Sequence, residues 1–242
     1  MNNRKTLVSV HGYAGDAAQV FDLLPVFEHH QCPLVIVSPE DSPISGVGPH
    51  ICRFAGKRAY VGQDSWDRQW LQLKLLLEYD FDWYLMNDSD SFVCSAQLPE
   101  YLFADQGVVY SNEVADFRIP GETYEGTTWS MDYHRGFPLI AMQPPYFMSR
   151  RCLEKIVEAT FGLQACPITP FIDWWFVVAC AAAGVKHLPF THGASCETVT
   201  PLGLAVLSDR VLNHGAVCLH SVKSARVKDE LMRLYAATLT RS

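Results

Sequence analysis

Residues 81–93, Phe-Asp-Trp-Tyr-Leu-Met-Asn-Asp-Ser-Asp-Ser-Phe-Val, begin as an apolar strand and end as a cluster of acids. The run 83–86 has the length and aromatic, apolar composition of a strand that is buried on both faces. Because unpaired carboxylates are costly to bury, we expect residues 87–90 to leave the core at an exposed edge of the sheet or beside a cation. Open α/β sheets bind their ligands at that edge.

The segment Asn-Asp-Ser-Asp has two interpretations. For an isolated Asp-x-Asp, a polar turn after a strand is the simpler one. In its aromatic context, however, the segment resembles the metal-binding DxD segment of GT-A fold glycosyltransferases, especially the β-1,3-glycosyltransferase and fringe-like enzymes and small virus-encoded glycosyltransferases. The resemblance implies that Asp88 and Asp90 hold a divalent cation, Mn²⁺ or Mg²⁺, which bridges the two phosphates of a nucleotide-sugar. The resemblance also implies that Asp88 contacts the ribose of the nucleotide-sugar.

Composition limits the class of protein. With 242 residues and 49% hydrophobic content, the chain can bury one full core. A net charge of -7 argues against a protein that coats nucleic acid. No run approaches the roughly 18 apolar residues of a membrane span, and no signal peptide precedes the first strand, so we expect a soluble, cytoplasmic protein. Since Golgi members of the resembled family usually carry an anchor, a bacterial or viral origin is expected.

The N-terminal third has the order of a βαβ unit. Residues 6–10 form a β-branched run that ends at a glycine-containing loop, a helical pattern follows from Asp16, and residues 33–37 form the second strand. Such a unit begins a nucleotide-binding half-sheet, although no GxGxxG fingerprint is present. With the resemblance, this predicts one GT-A (Rossmann-like) α/β domain over 1–242, with a mostly parallel central sheet flanked by helices.

The resemblance divides that domain into two functional halves. Residues 1–93 are expected to bind the nucleotide-sugar, and residues 94–242 the acceptor and the catalytic groups. In GT-A enzymes the loop after the first strand lies beside the nucleobase, so His11, Tyr13 and Asp41 become candidates for base or ribose contact. An ordinary loop remains the alternative for each of these three residues.

A helix before the central strand supplies candidate phosphate ligands. Its apolar face predicts burial of residues such as Trp66, whereas Arg68 and Gln72 are expected to lie off that face. A diphosphate leaving group carries more negative charge than one metal offsets, which makes Lys57, Tyr60 and Arg68 candidates for its binding. A surface salt bridge is the alternative for Arg68, because an acid would suit the first turn of a helix better.

Residues 107–143 have few apolar repeats and many aromatic residues. A loop of this length in a compact domain usually carries function. We expect Trp129, Tyr133 and His134 to bind the sugar acceptor, whose C–H face packs on aromatic rings, and Trp174 to contribute later in the chain. Alternatively, these side chains simply cover the sheet.

Asp173 is the candidate catalytic residue. Thr169 and Pro170 have the residue types of a helix start, and the neighbours of Asp173 are otherwise apolar. One carboxylate in such surroundings has a structural partner or a chemical task. The resembled family places its general base here, which implies an inverting, single-displacement transfer. A helix-start residue that bonds backbone N–H groups is the alternative.

The segment 215–223 ends a short apolar strand in a histidine. It resembles the C-terminal His-x-x-Lys-like segment of the same family, which returns to the metal. His220 is therefore a candidate metal ligand that favours Mn²⁺ over Mg²⁺, and Lys223 a candidate ligand of the nucleotide-sugar. A lone histidine is more often a core or surface residue.

Three functions remain open from the sequence. The first is a metal-dependent, inverting glycosyltransferase that moves a sugar from a nucleotide-diphosphate donor, with a UDP-sugar favoured, to a hydroxyl of a glycan. The second is the same chemistry on hydroxymethylated bases of DNA, which the acidic charge disfavours. The third is a nucleotide- or carbohydrate-binding module without turnover. Asp173 discriminates against the third, because a binder does not need a buried base.

Overall fold

The computed structural model describes the following residues of the chain: 4–18, 20, 33–45, 51–93, 98–116, 140–165, 175–190, 196–198, 218–220, 226–227, 229–231 and 233.

A seven-stranded sheet forms the centre of the described fold, in the order β3-β2-β1-β4-β7-β6-β8. Only β7 runs antiparallel to its neighbours, so the predicted α/β architecture with a mostly parallel sheet is confirmed. The strands of this sheet are β1 (Thr6–His11), β2 (Leu34–Ser38), β3 (Ile51–Phe54), β4 (Trp83–Asp88), β6 (Val108–Asp116), β7 (Ile140–Ser149) and β8 (Lys186–Pro189).

A smaller sheet adjoins the acidic end of β4. It contains β5 (Phe92–Val93), β9 (Cys196–Thr198) and β10 (Cys218–His220), with β10 in the middle. β10 pairs antiparallel with β5 through Leu219 and Phe92. The pairing brings the chain near residue 220 back to the segment that directly follows the acids.

Three α-helices with described bounds accompany the sheet: α1 (Gly62–Leu76), α2 (Arg150–Ala159) and α3 (Trp175–Ala183). Ser149 caps the start of α2, because its hydroxyl accepts a hydrogen bond from the Cys152 N–H at 3.0 Å. α3 ends before Gly184, whose φ of 60° favours glycine. Within the described residues, no helix is long and apolar enough to cross a membrane.

β4 divides the core into two layers, because successive side chains of a strand point to opposite faces. Tyr84 and Met86 pack with Trp66 and other residues of the three helices on one face. Trp83 and Leu85 pack on the other face, and the Trp83 ring stacks on Phe147 with a centroid separation of 5.5 Å. The predicted burial of this strand on both faces is therefore confirmed.

The end of β4 differs from the prediction. The strand continues through Asn87 and Asp88, whose backbones pair with Val10 and His11 of β1. Asn87 is fully buried, and its amide atoms have no hydrogen-bond partner among the described residues. The expectation that the chain leaves the core at Asn87 is wrong, because sheet pairing satisfies the backbone up to the acids and only their side chains emerge.

β6 and β8 hold a half-buried histidine between them. Ser111 Oγ and His187 Nε2 lie 2.6 Å apart, and Ser111 is fully buried. Burial disfavours the imidazolium and lowers the pKa of His187 to about 4. His187 is therefore neutral in the folded protein at pH 5, whereas in the unfolded chain it takes up a proton below about pH 6.5.

This difference predicts acid-sensitive stability. Between about pH 6.5 and pH 4 the unfolded state binds the extra proton, so the free energy of unfolding falls as pH falls. We expect His187→Gln, whose amide can replace Nε2, to reduce the loss between pH 7 and pH 5 by about 1–2 kcal/mol in urea titrations. Ser111→Ala, which keeps the imidazole, is the control. An unchanged pH dependence in His187→Gln would contradict the assignment.

Candidate active site

A cavity of about 420 Å³ opens at the carboxyl ends of β1 and β4. This is the edge where the sequence predicted a ligand, and the parallel pairing of His11 with Asp88 places both strand ends there. Its lining comes from the loops after β1, β2 and β4, from the residues before α1, from one side of α1, and from β7 and α3: His11, Gly12, Tyr13, Asp16, Pro39, Tyr60, Arg68, Gln69, Gln72, Met86, Asp88, Ser89, Asp90, Pro144, Tyr146 and Phe176.

Asp88 and Asp90 are half-buried in the wall of this cavity. A turn fixes their spacing, since the Ser91 N–H donates to the Asp88 carbonyl at 3.0 Å and the Ser89 N–H donates to the His11 carbonyl at 2.9 Å. Ser89 between them also lines the cavity, with 8% of its surface exposed. The local chain therefore directs both acids toward one space.

These acids fit a hard divalent cation. Two carboxylates on the cavity wall supply the oxygen ligands that Mg²⁺ and Mn²⁺ prefer. β10 pairs with β5 at Leu219 and Phe92, which lie one residue from His220 and two residues from Asp90 along the chain. Among the residues that the structure describes, no third His, Cys, Asp or Glu side chain completes a cluster with them.

Arg68 carries a positive charge into the same cavity. The guanidinium is largely buried, and its Nε has no hydrogen-bond partner within the described part of the chain. Desolvation lowers the pKa of Arg68, while the charges of Tyr60, Asp88 and Asp41 oppose that shift. Since arginine stays protonated in proteins, the site combines a desolvated cation with two acids, which suits an anionic ligand that also binds metal.

Gly56 explains how Arg68 is covered. Its φ of 67° lies in the left-handed region, and a Cβ at this position would approach the Cα, Cβ and Cγ atoms of Arg68 to 3.0 Å. A glycine therefore lets the chain after β3 lie directly against α1. A larger residue would push this segment off Arg68.

His11 closes the floor of the cavity through a buried network. Its Nδ1 lies 3.0 Å from Gln72 Oε1, and its Nε2 lies 2.9 Å from Ser9 Oγ and 3.3 Å from Tyr84 Oη. Burial lowers the pKa of His11 to about 4, so the ring is neutral. Gln72, predicted to lie off the buried face of its helix, is buried because it is the partner of His11.

Of the remaining candidates in the first half, two line the cavity and two lie on adjoining loops. Tyr13 and Tyr60 both line the cavity, with ring centroids 6.2 Å apart in an edge-to-face arrangement. Asp41 is exposed, and its Oδ1 accepts a hydrogen bond from the Arg58 N–H at 2.7 Å. Lys57 is exposed on the same segment as Tyr60.

Part of the cavity lining is an aromatic pair that the sequence did not predict. Tyr146 of β7 stacks on Phe176 of α3 with centroids 3.9 Å apart, and Pro144 lies beside them. β7 brings Tyr146 next to Met86 in the antiparallel register. The Pro-Tyr pair entering a strand was the available signal, but it did not reveal which end of β4 the tyrosine would meet.

Several predicted site residues lie outside the described residues: Trp129, Tyr133, His134, Asp173, Trp174 and Lys223. For His220 the structure describes the main chain in β10. The structure thus brings together His11, Tyr13, Tyr60, Arg68, Asp88 and Asp90 around one cavity, with Lys57 and Asp41 on adjoining loops.

Comparison with known proteins identifies the fold. Neither a protein-family profile nor a curated protein matches the sequence. Among solved structures, the WbbM bifunctional glycosyltransferase in its apo form superposes with a TM-score of 0.56 at 12% identity, over 97% of this chain and 50% of that one. This chain therefore spans half the length of the WbbM chain that it matches. The likeness and the strand order define a GT-A, Rossmann-like fold.

Two more distant structures were also found. The galactosyltransferase LgtC, solved with donor and acceptor sugar analogues, gives a TM-score of 0.48 at 12% identity over 95% of both chains. A197 from STIV gives 0.42 at 12% identity over 77% of this chain and 82% of that one.

Proposed function

We propose that the chain is a metal-dependent, inverting glycosyltransferase that moves a sugar from a nucleotide-diphosphate donor to a hydroxyl of a glycan. A UDP-sugar is the favoured donor. The observation that carries the proposal is the convergence of Asp88, Asp90 and the desolvated Arg68 in one cavity at the carboxyl edge of a GT-A sheet. The carboxylates of Asp88 and Asp90 alone would repel a diphosphate. With a divalent cation between them and the phosphates, and with the positive charge of Arg68, the same site attracts a diphosphate.

The acidic end of the cavity takes the diphosphate in this proposal. Asp90 holds Mn²⁺ or Mg²⁺ directly, with Asp88 through the ribose or a metal-bound water and His220 as a further ligand. A cation held there would supply Lewis-acid stabilisation of the departing diphosphate. Arg68, with Lys57 and Lys223, adds positive charge toward the phosphate oxygens.

The aromatic rim takes the nucleoside. Tyr13 and Tyr60 supply ring surfaces beside the loop after β1, and Asp41 supplies a carboxylate that can accept hydrogen bonds from a base or ribose. His11 contributes through the floor, where its ring is fixed as a neutral group. Residues 1–93 accordingly form the donor half of the domain.

Residues 94–242 provide the acceptor and catalytic half. The Tyr146–Phe176 stack lines the same cavity as Arg68 and gives it an apolar surface, and such a surface suits the C–H face of a sugar. We extend this acceptor region to Trp129, Tyr133, His134 and Trp174, and we assign the general base to Asp173.

Product release tests the proposal and separates turnover from simple binding. The purified protein is incubated with single UDP-, GDP-, ADP- and CDP-sugars, with Mn²⁺ or with EDTA, and free nucleoside diphosphate is measured. We expect one donor to be hydrolysed slowly with metal and to raise the melting temperature. Stabilisation without release by any donor, even with glycan acceptors, would identify a binding module instead.

Arg68→Ala is expected to weaken binding of the matching nucleoside diphosphate by about 10–100-fold, because a desolvated, charge-assisted contact contributes about 1.5–3 kcal/mol. Binding of the corresponding nucleoside, which lacks phosphate, should change little. Calorimetry and competition measure the two affinities. Lys74→Ala, an exposed cation on the same helix, is the control. Equal weakening of nucleoside and diphosphate would show that Arg68 supports the fold of the site rather than its anion.

A further inference from the structure

Three loops meet at the aromatic rim of the cavity. The loop after β1 carries Tyr13, the loop after β2 carries Asp41, and the segment after β3 carries Arg58 and Tyr60. Backbone hydrogen bonds join these loops. The Ala14 N–H donates to the Ser42 carbonyl at 3.0 Å, and the Glu40 N–H donates to the Gly56 carbonyl at 2.8 Å. The rim is therefore built from segments far apart in sequence.

Arg58 contacts all three loops. Its guanidinium carbon lies 3.8 Å from the centroid of the Tyr13 ring and 5.5 Å from that of Tyr60. Its Nη2 donates to Tyr60 Oη at 3.3 Å, and its backbone N–H donates to Asp41 Oδ1 at 2.7 Å. The hydrogen bond to Tyr60 raises the pKa of Arg58, so its charge is constant.

The position of the Tyr13 ring depends on this stack. On the chain side, a Cβ at Gly15 would approach Tyr13 Cε2 to 2.6 Å, so the ring lies close against the glycine backbone. The Arg58 guanidinium lies over the ring at 3.8 Å. A ring in contact with both a backbone segment and a planar cation has little freedom, and a cavity wall held rigid before binding costs less entropy on binding.

We propose that Arg58 is a positioning residue that holds Tyr13 and Tyr60 as a rigid nucleoside wall, an inference that rests on the proposed binding of nucleotide-sugars. The Arg58 guanidinium both stacks on the Tyr13 ring and donates a hydrogen bond to the Tyr60 hydroxyl, so this role needs a planar group with several donors. A lysine keeps the charge but lacks this planar fork. Arg58 is exposed at the rim. The largely buried Arg68 lies beside Asp88 and is the arginine that binds the anionic diphosphate in the proposed function.

The experiment compares a nucleoside with its diphosphate. From UDP, GDP, ADP and CDP, the ligand that the wild type binds most tightly with Mn²⁺ is chosen, and its affinity and that of its nucleoside are measured by calorimetry and competition. We expect Arg58→Ala to weaken both by the same factor of roughly five- to tenfold, the size of one cation–π contact and one hydrogen bond. Arg58→Lys should not restore either affinity.

A second arginine–tyrosine pair supplies the matched control. Arg53 donates from Nε to Tyr79 Oη at 2.7 Å and lies 5.5 Å from that ring, and neither residue lines the cavity. Arg53→Ala should leave both affinities unchanged and so account for any general loss of stability.

Two results would overturn the inference while leaving the proposed function intact. One is unchanged nucleoside binding in Arg58→Ala. The other is a loss confined to the diphosphate that Arg58→Lys restores, which would show that the charge of Arg58 binds phosphate directly. If the wild type binds none of the four nucleoside diphosphates, the proposed function fails, and the inference fails with it.

Discussion

Asp173→Asn is expected to reduce turnover at least about 100-fold and to leave donor binding and the melting temperature near wild type. An acceptor hydroxyl is a poor nucleophile until a carboxylate within hydrogen-bond reach takes its proton. The amide of asparagine keeps the size and some hydrogen bonds of aspartate but cannot accept that proton. Steady-state transfer rates with donor and acceptor, together with calorimetry of the donor alone, measure the two quantities.

Asp173 precedes a residue of the cavity wall in the sequence. Phe176, three residues after Asp173, lines the cavity and stacks on Tyr146. Asp229→Asn, at an exposed position in the same half of the chain, is the control.

Two outcomes would contradict the role of Asp173 as base. Normal turnover in Asp173→Asn would remove it from the chemistry. A product that retains the donor's anomeric configuration would exclude the single-displacement transfer for which the base is needed. A helix-start role instead predicts a lower melting temperature with turnover per folded molecule unchanged.

Asp90→Ala is expected to abolish the metal-dependent part of donor binding, a loss of at least about tenfold, since one charged ligand contributes about 1.5–3 kcal/mol. The physical reason is that the carboxylate offsets the cation's charge in a half-buried site, where water screens it poorly. Titration of the donor in Mn²⁺ and in EDTA isolates this part. Asp80→Ala, an exposed acid that pairs with Lys5 beyond the other end of β4, is the control.

Undiminished metal-dependent binding in Asp90→Ala would sink this assignment. The result would leave Asp88 and His220 to hold the cation. A loss of equal size in the absence of metal would indicate that Asp90 contacts the nucleotide-sugar itself.

Periodicity in the sequence predicted the scaffold well. The apolar, aromatic run before Asp88 predicted a strand buried on both faces, and the β-branched run at residues 6–10 predicted the first strand. These features depend on neighbours along the chain. The position of the acids at a sheet edge followed from the same local argument, because a charged residue ends a buried run wherever the run lies.

Residues whose environment depends on distant segments could not be predicted in this way. Gln72 has the polarity of a surface residue, yet it is buried because His11, sixty-one positions earlier, needs a partner. Arg58 follows the exposed Lys57 directly in the sequence, yet its guanidinium stacks on Tyr13 because two loops distant in sequence approach each other. Tyr146 reaches the cavity through antiparallel pairing with β4, which no local pattern encodes.

Calorimetric titration of nucleotide-sugars in Mn²⁺ and in EDTA measures directly whether this cavity binds a nucleotide diphosphate through a cation. The prediction is one site per chain for one donor in Mn²⁺, with affinity lost in EDTA and strongly reduced in Arg68→Ala. Binding of equal strength in EDTA, or no binding of any nucleotide-sugar by the folded protein, would contradict it.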